Sequence, residues 1–185
     1  MKNSYKSLKE YQIRRLRKDE TIKSFDCGDN DLNDFILREA SNYSKALIAA
    51  TYVYEHTNSG KVVCYFSLAN DKVSLADFNN KTDFNRFRRH RFVNEKRLKS
   101  YPAVKICRFG VDTSFHGMGV GSLLLDFIKT YFIDDNKTGC RFLVVDAYNE
   151  AVKFYKNNGF QHLKTNDESI NTKLLYFDLN DYECN

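Results

Sequence analysis

Val104-Lys105-Ile106-Cys107-Arg108-Phe109-Gly110-Val111-Asp112-Thr113-Ser114-Phe115-His116-Gly117-Met118-Gly119-Val120-Gly121-Ser122 reads as an apolar strand running into a glycine-rich turn that opens a helix. The helix is amphipathic, with Leu123, Leu124, Phe127, Ile128 and Tyr131 expected on its buried side. The first N–H groups of a helix have no intrahelical partner and carry the positive end of its dipole. A pyrophosphate can therefore be held there without any basic side chain. Glycines let the backbone come close to the oxygens and take positive φ where the turn needs it. Two other glycine loops fail on spacing. No Gly-Lys-Ser/Thr follows, so this is not a P-loop, and a dinucleotide fingerprint needs glycine where Ser122 stands.

Downstream, Arg141–Val145 reads as a short strand, Asn149–Asn158 as a helix stopped by Gly159, and Lys173–Leu179 as a last strand. Upstream, Tyr11–Arg17 reads as a first strand and Phe25–Asp29 as a turn. A helix follows through Leu32, Phe35, Ile36, Glu39 and Tyr43, with Asp29 or Asn30 near its cap. Leu47–Glu55 and Lys61–Ala69 form a hairpin across Thr57-Asn58-Ser59-Gly60. Asp71–Ser100 is the least regular stretch, and Pro102 marks a strand entry. Strands and helices in this order make an α/β protein with a mixed sheet.

The 185 residues fit one domain, 1–185, and contain no linker, repeat or low-complexity tract. No apolar run approaches the ~20 residues that span a bilayer. Met1–Glu10 lacks the apolar segment of a secretory signal, so the expected location is cytoplasmic and no membrane partner is expected. Cys27, Cys64, Cys107, Cys140 and Cys184 are scattered, and none stands at ligand spacing from a histidine; they read as reduced thiols, with no metal site.

The glycine segment resembles motif A of the GNAT acetyltransferase superfamily, Q/R-x-x-G-x-G/A, with His116 at the Q/R position and Gly119 and Gly121 at the glycines. Asn149-Glu150-Ala151-Val152-Lys153-Phe154-Tyr155-Lys156-Asn157-Asn158-Gly159-Phe160 is similar to the family's N-x-x-A-x-x-F-Y-x-x-x-G-F segment. The resemblance implies the GNAT fold, a mixed, mostly antiparallel central sheet flanked by helices. It also implies acetyl-CoA as co-substrate. The amides from His116 and Gly117 through Met118, Gly119, Val120, Gly121 and Ser122 would hold the pyrophosphate. Phe109 and Val111 would offer strand-like hydrogen bonds to the pantetheine arm, Asn149 would contact the cofactor, and Tyr155 would protonate the departing thiolate as general acid. A phenol has an ordinary pKa of about 10 and keeps its proton at neutral pH. Asp112 and Asp146 are base candidates by position alone, and no general base is assigned.

The acceptor is a primary amine that the sequence does not specify. The N-terminal half, from Phe25-Asp26-Cys27-Gly28 through Val63-Cys64-Tyr65-Phe66-Ser67-Leu68, looks like a subgroup that includes toxins acetylating aminoacyl-tRNA. On that alternative Arg86–Lys99, with seven basic residues and one acid, would contact tRNA, and an antitoxin would be the protein partner. The same run also reads as a solvated basic face. A non-catalytic acyl-CoA binding module is a third reading, against which Tyr155 argues. A homodimer stays open.

Overall fold

Capping and alternation account for most of the elements. The computed structural model describes residues 10–134, 136, 138–164 and 171–182, the side chain of Glu95 excepted. The strands are β1 (Tyr11–Arg15), β2 (Ala50–His56), β3 (Val62–Ser74), β4 (Ser100–Val111), β5 (Phe142–Tyr148), β6 (Gln161–His162) and β7 (Thr172–Asp178). They are hydrogen-bonded in the order β1-β2-β3-β4-β5-β7-β6. β1 with β2, β2 with β3, β5 with β7 and β6 with β7 are antiparallel, whereas β4 and β5 run parallel over Ala103–Lys105 and Phe142–Val144. The sheet is mixed, mostly antiparallel and flanked by helices, as expected of the GNAT fold.

The chain divides into two units. One comprises residues 1–69 and 106–124, the other residues 70–105 and 125–185. In the first, Asp29 caps α1 (Asn30–Asp34) by accepting the Leu32 N–H at 3.0 Å. α1 continues through a π-helical turn (Phe35–Glu39) into α2 (Ala40–Lys45). This helical run buries Phe35, Ile36 and Ala40 against Leu16, Val53 and Tyr65.

The second unit corrects the reading of 71–100 as irregular. β3 extends to Ser74, and α3 (Lys81–Arg91) follows, capped by Asn80, whose Oδ1 accepts the Asp83 N–H at 2.9 Å. Phe84 and Phe87, three apart on α3, enter a core with Val73, Tyr101 and Phe142. Basic residues around these two aromatics obscure the helical period, although Asn80 and Asp83 at cap spacing carry the start signal.

The helix after the glycine turn, α4 (Val120–Asp134), has its buried stripe shifted from expectation. Leu124, Leu125 and Ile128 are fully buried, while Leu123 and Tyr131 are 37% and 43% exposed. Three consecutive leucines leave the choice of buried face to packing. The second helix of the C-terminal half is shorter than expected, α5 (Val152–Asn157), preceded by a 3-10 turn (Asn149–Ala151).

Candidate active site

In the first unit, β4 ends at Val111 and the chain turns on Asp112. This aspartate is buried, its N–H donates to Val63 O at 2.8 Å, and its Oδ1 accepts both the N–H (3.0 Å) and the hydroxyl of Ser114. It thereby caps a 3-10 turn, Thr113–Phe115. Sequence reading missed this role, although Asp-Thr-Ser after a strand is a turn signature. Asp112 is a turn builder here, and that role accounts for an acid at the end of this strand.

His116 follows, exposed, with Nε2 2.8 Å from the carbonyl of Val111, so that nitrogen carries the proton in this contact. The side chain thus ties the turn to the strand end, a role beyond the backbone one that the resemblance implies. Gly117 and Gly119 take φ of 73° and 79°, and a Cβ at either would meet nothing within 4 Å. The turn is therefore glycine-rich for its backbone conformation and is open on its outer side. After Met118, whose N–H donates to Phe115 O at 3.4 Å, the next bond of this kind is from the Leu123 N–H to Gly119 O at 3.0 Å. Among the described residues, no backbone carbonyl accepts the N–H groups of Val120, Gly121 and Ser122. Three free donors at the start of a 15-residue helix, behind an open turn, suit an anionic diphosphate.

Phe109 and Val111 sit half-buried on the last residues of β4. Between them, Gly110 allows close packing: a Cβ there would lie 2.9 Å from Tyr65 Cε1 and 3.3 Å from the Phe25 ring.

In the second unit, Tyr155 lies on α5 and is buried, its ring 5.2 Å from Phe154 and 5.3 Å from Phe160. Its carbonyl accepts the N–H groups of Asn158 and Phe160 at 3.0 Å each, closing the helix ahead of Gly159. Asn149 is the first residue of the 3-10 turn, with Tyr148 at the cap. Ala151, Phe154, Tyr155, Gly159 and Phe160 fit the family segment in one register, and that register puts the family's asparagine at Tyr148, one residue before Asn149. Asp146, the other positional base candidate, pairs with Lys105 at 2.5 Å.

The basic segment separates into two groups. Arg88 donates from Nη1 to Arg97 O and Leu98 O at 3.3 and 3.2 Å, and Arg97 donates from Nε to Phe92 O at 3.2 Å. Arg91 lies 3.4 Å from the buried carboxylate of Asp178, hydrogen-bonds Tyr176 and stacks 4.2 Å from the centre of the Phe87 ring. Arg86, which approaches Asp83 at 3.7 Å, is exposed, as are Arg89, Lys96 and Lys99. Burial pushes the Tyr176 phenol above its ordinary range, which keeps it a donor beside these groups.

Cys64 and Cys140 are buried thiols, the latter pushed up to about 11 by burial. No group of three metal-ligating side chains occurs among the described residues, and no described helix is long and apolar enough to cross a membrane.

Residues 49–162 match the family model of the acetyltransferase (GNAT) domain. The chain belongs to the GNAT acetyltransferase family and is an N-acetyltransferase. Its fold is similar to AtaT complexed with acetyl-methionyl-tRNAfMet, at 24% identity over 92% of this chain and 95% of that one, with a TM-score of 0.71. It is also similar to an AtaT mutant toxin bound to the C-terminus of the antitoxin AtaR and acetyl-CoA (22% identity, 92% and 94% covered, TM-score 0.70). A mutant of KacT matches at 20% identity, with 92% and 96% covered and a TM-score of 0.73.

Proposed function

We propose that residues 1–185 work as one domain that moves the acetyl group of acetyl-CoA onto a primary amine by direct attack. The observation that carries this is the open turn at Gly117–Gly119 with the free N–H groups of Val120, Gly121 and Ser122 behind it. A diphosphate needs such donors and no side-chain charge, so the residues present fit the group. When bound, acetyl-CoA supplies a thioester carbonyl carbon for the amine and a thiolate as leaving group. The backbone from His116 to Ser122 holds the diphosphate, while Phe109 and Val111 align the pantetheine arm along β4. Tyr155 donates its phenolic proton to the departing sulfur, and the proton that the amine nitrogen sheds as the amide forms passes to water, from which the phenol is restored.

Tyr155→Phe tests the chemistry. The ring stays packed against Phe154 and Phe160, so stability and acetyl-CoA affinity should hold while kcat falls by about 10²–10⁴-fold. Undiminished turnover would remove Tyr155 from the proton step.

A second reading specifies the amine as that of an aminoacyl-tRNA. It is favoured by the exposed Arg89, Lys96 and Lys99 and by the matched AtaT complex with acetyl-methionyl-tRNAfMet. Charged tRNAs incubated with the enzyme and acetyl-CoA should yield N-acetyl-aminoacyl esters. If no charged tRNA gives that product, this reading falls and the general amine reading stands. On the tRNA reading the enzyme works in the cytoplasm and is held in check by an antitoxin, as the matched AtaT is bound to AtaR. Co-expression that relieves growth arrest tests the partner, and sedimentation tests a homodimer.

A further inference from the structure

Arg108 stands two residues before Gly110 on β4, and residues two apart on a strand share a face. That face is aromatic: Gly110 fits against Tyr65 and Phe25, and the Arg108 guanidinium lies 5.2 Å from the centre of the Phe35 ring. Phe35 stacks on Tyr65 at 6.1 Å with the planes 15° apart, and the Tyr65 hydroxyl donates to Leu32 O at 2.7 Å. The platform under the guanidinium is thus fixed from both ends.

The cation on this platform has donors to spare. Arg108 is half-buried, and Nη1 donates to Cys107 O at 2.9 Å. Among the described residues no carboxylate pairs with it. A guanidinium has five N–H donors, so with one neutral acceptor engaged the others remain available to a ligand. Three acids of the neighbouring 25–39 stretch are committed elsewhere. Asp26 accepts from Gly28 and Asn33, Asp29 caps Leu32, and Asp34 pairs with Arg38 at 2.7 Å. Phe35 also opens the π-helical turn, its carbonyl taking the N–H of Ala40, and such turns recur at functional sites.

We propose that Arg108 is an acceptor-recognition residue whose guanidinium takes the anionic oxygens of the amine substrate, either a phosphate ester or a carboxylate. The ring of Phe35 orients the planar fork for two parallel N–H···O bonds. The inference rests on the acetyltransferase reading above but not on tRNA as the acceptor.

Two measurements test it. The first follows the Arg108 side-chain NMR signal of the intact wild-type chain during titration with inorganic phosphate and, separately, with acetate. A shift with phosphate alone assigns a phosphate ester, and a shift with acetate alone assigns a carboxylate. A shift with both supports the shared chemistry, and no shift with either overturns the proposal. The second compares wild type, Arg108→Lys and Arg108→Gln with whichever anion-bearing amine the wild type accepts, methionyl-tRNA being tried first. Arg108→Gln should raise KM at least about 30-fold while kcat and acetyl-CoA affinity change little, with partial recovery in Arg108→Lys. An unchanged KM overturns the proposal. If no charged tRNA is acetylated but phosphate moves the Arg108 signal, the tRNA reading falls and this one stands. The titration uses wild type, so it decides the matter even where Arg108→Gln fails to fold.

Discussion

The glycine turn at 116–122 and the basic segment at 86–99 are both short runs with an evident composition, yet they differ in how composition becomes function. The turn acts through its backbone. Its donors are the N–H groups of Val120, Gly121 and Ser122, and their availability follows from their being the first residues of α4. The basic segment acts through side chains, and tertiary contacts divide them. Arg88, Arg91 and Arg97 hold the protein together, whereas Arg89, Lys96 and Lys99 face solvent. Charge in a sequence therefore marks a surface only after the structure has taken its share.

The largest effect should come from the structural group. Arg91→Ala removes one of the two arginines beside Asp178, leaving Arg141 at 2.8 Å, and strips a cation from the Phe87 ring. The cost is about 3 kcal/mol, or roughly 6–12 °C in melting temperature. A melt within about 2 °C of wild type would return Arg91 to the surface group.

A smaller effect is expected at the turn. Gly121→Val adds a branched side chain in the first turn of α4 at a position that needs only helical φ. Acetyl-CoA affinity, measured by calorimetry, should fall at least about tenfold (~1.4 kcal/mol) with the melting temperature nearly unchanged. Equal affinity would remove the turn from the cofactor site.

The smallest change in stability belongs to the solvent-facing group. Arg89→Ala, Lys96→Ala and Lys99→Ala should each cost less than about 0.5 kcal/mol. If charged tRNA binds here, its logarithmic salt slope in the triple variant should flatten by about 0.7–0.9 for every phosphate no longer neutralised. A slope unaltered by the triple change would leave these residues as a solvated face. A simultaneous change of Arg88, Arg89 and Arg91 could not discriminate, because two of the three support the fold.

Acid provides a further contrast within the first unit. Arg14 holds the Glu20 carboxyl below its ordinary 4.5, chiefly by hydrogen bonding, and also pairs with the buried Glu55 at 2.7 Å. Since the folded-state value is depressed, this contribution is present above the ordinary value and is lost as the pH falls through the folded one. Arg14→Gln should flatten the decline in stability below about pH 4.5, as followed by urea titration. An unchanged decline would show that Glu20 does not carry it.

Strand periodicity, the Asp29 cap, the hairpin and the glycine turn were all legible in the sequence, because each is set by residues within a few positions of one another. The two family segments likewise identified the superfamily, since turn and helix-end chemistry repeats at fixed spacing. What depended on distant partners was not legible. Packing chose Leu125 over Leu123 on α4, and the core formed by Phe84 and Phe87 made a helix of 81–91. Long-range partners committed Asp146 to Lys105 and Arg91 to Asp178, and left Arg108 on an aromatic platform without a carboxylate among the described residues. Backbone conformation is a local property and travels with the sequence, whereas the partner of a charge is whatever the fold brings within a few ångströms of it.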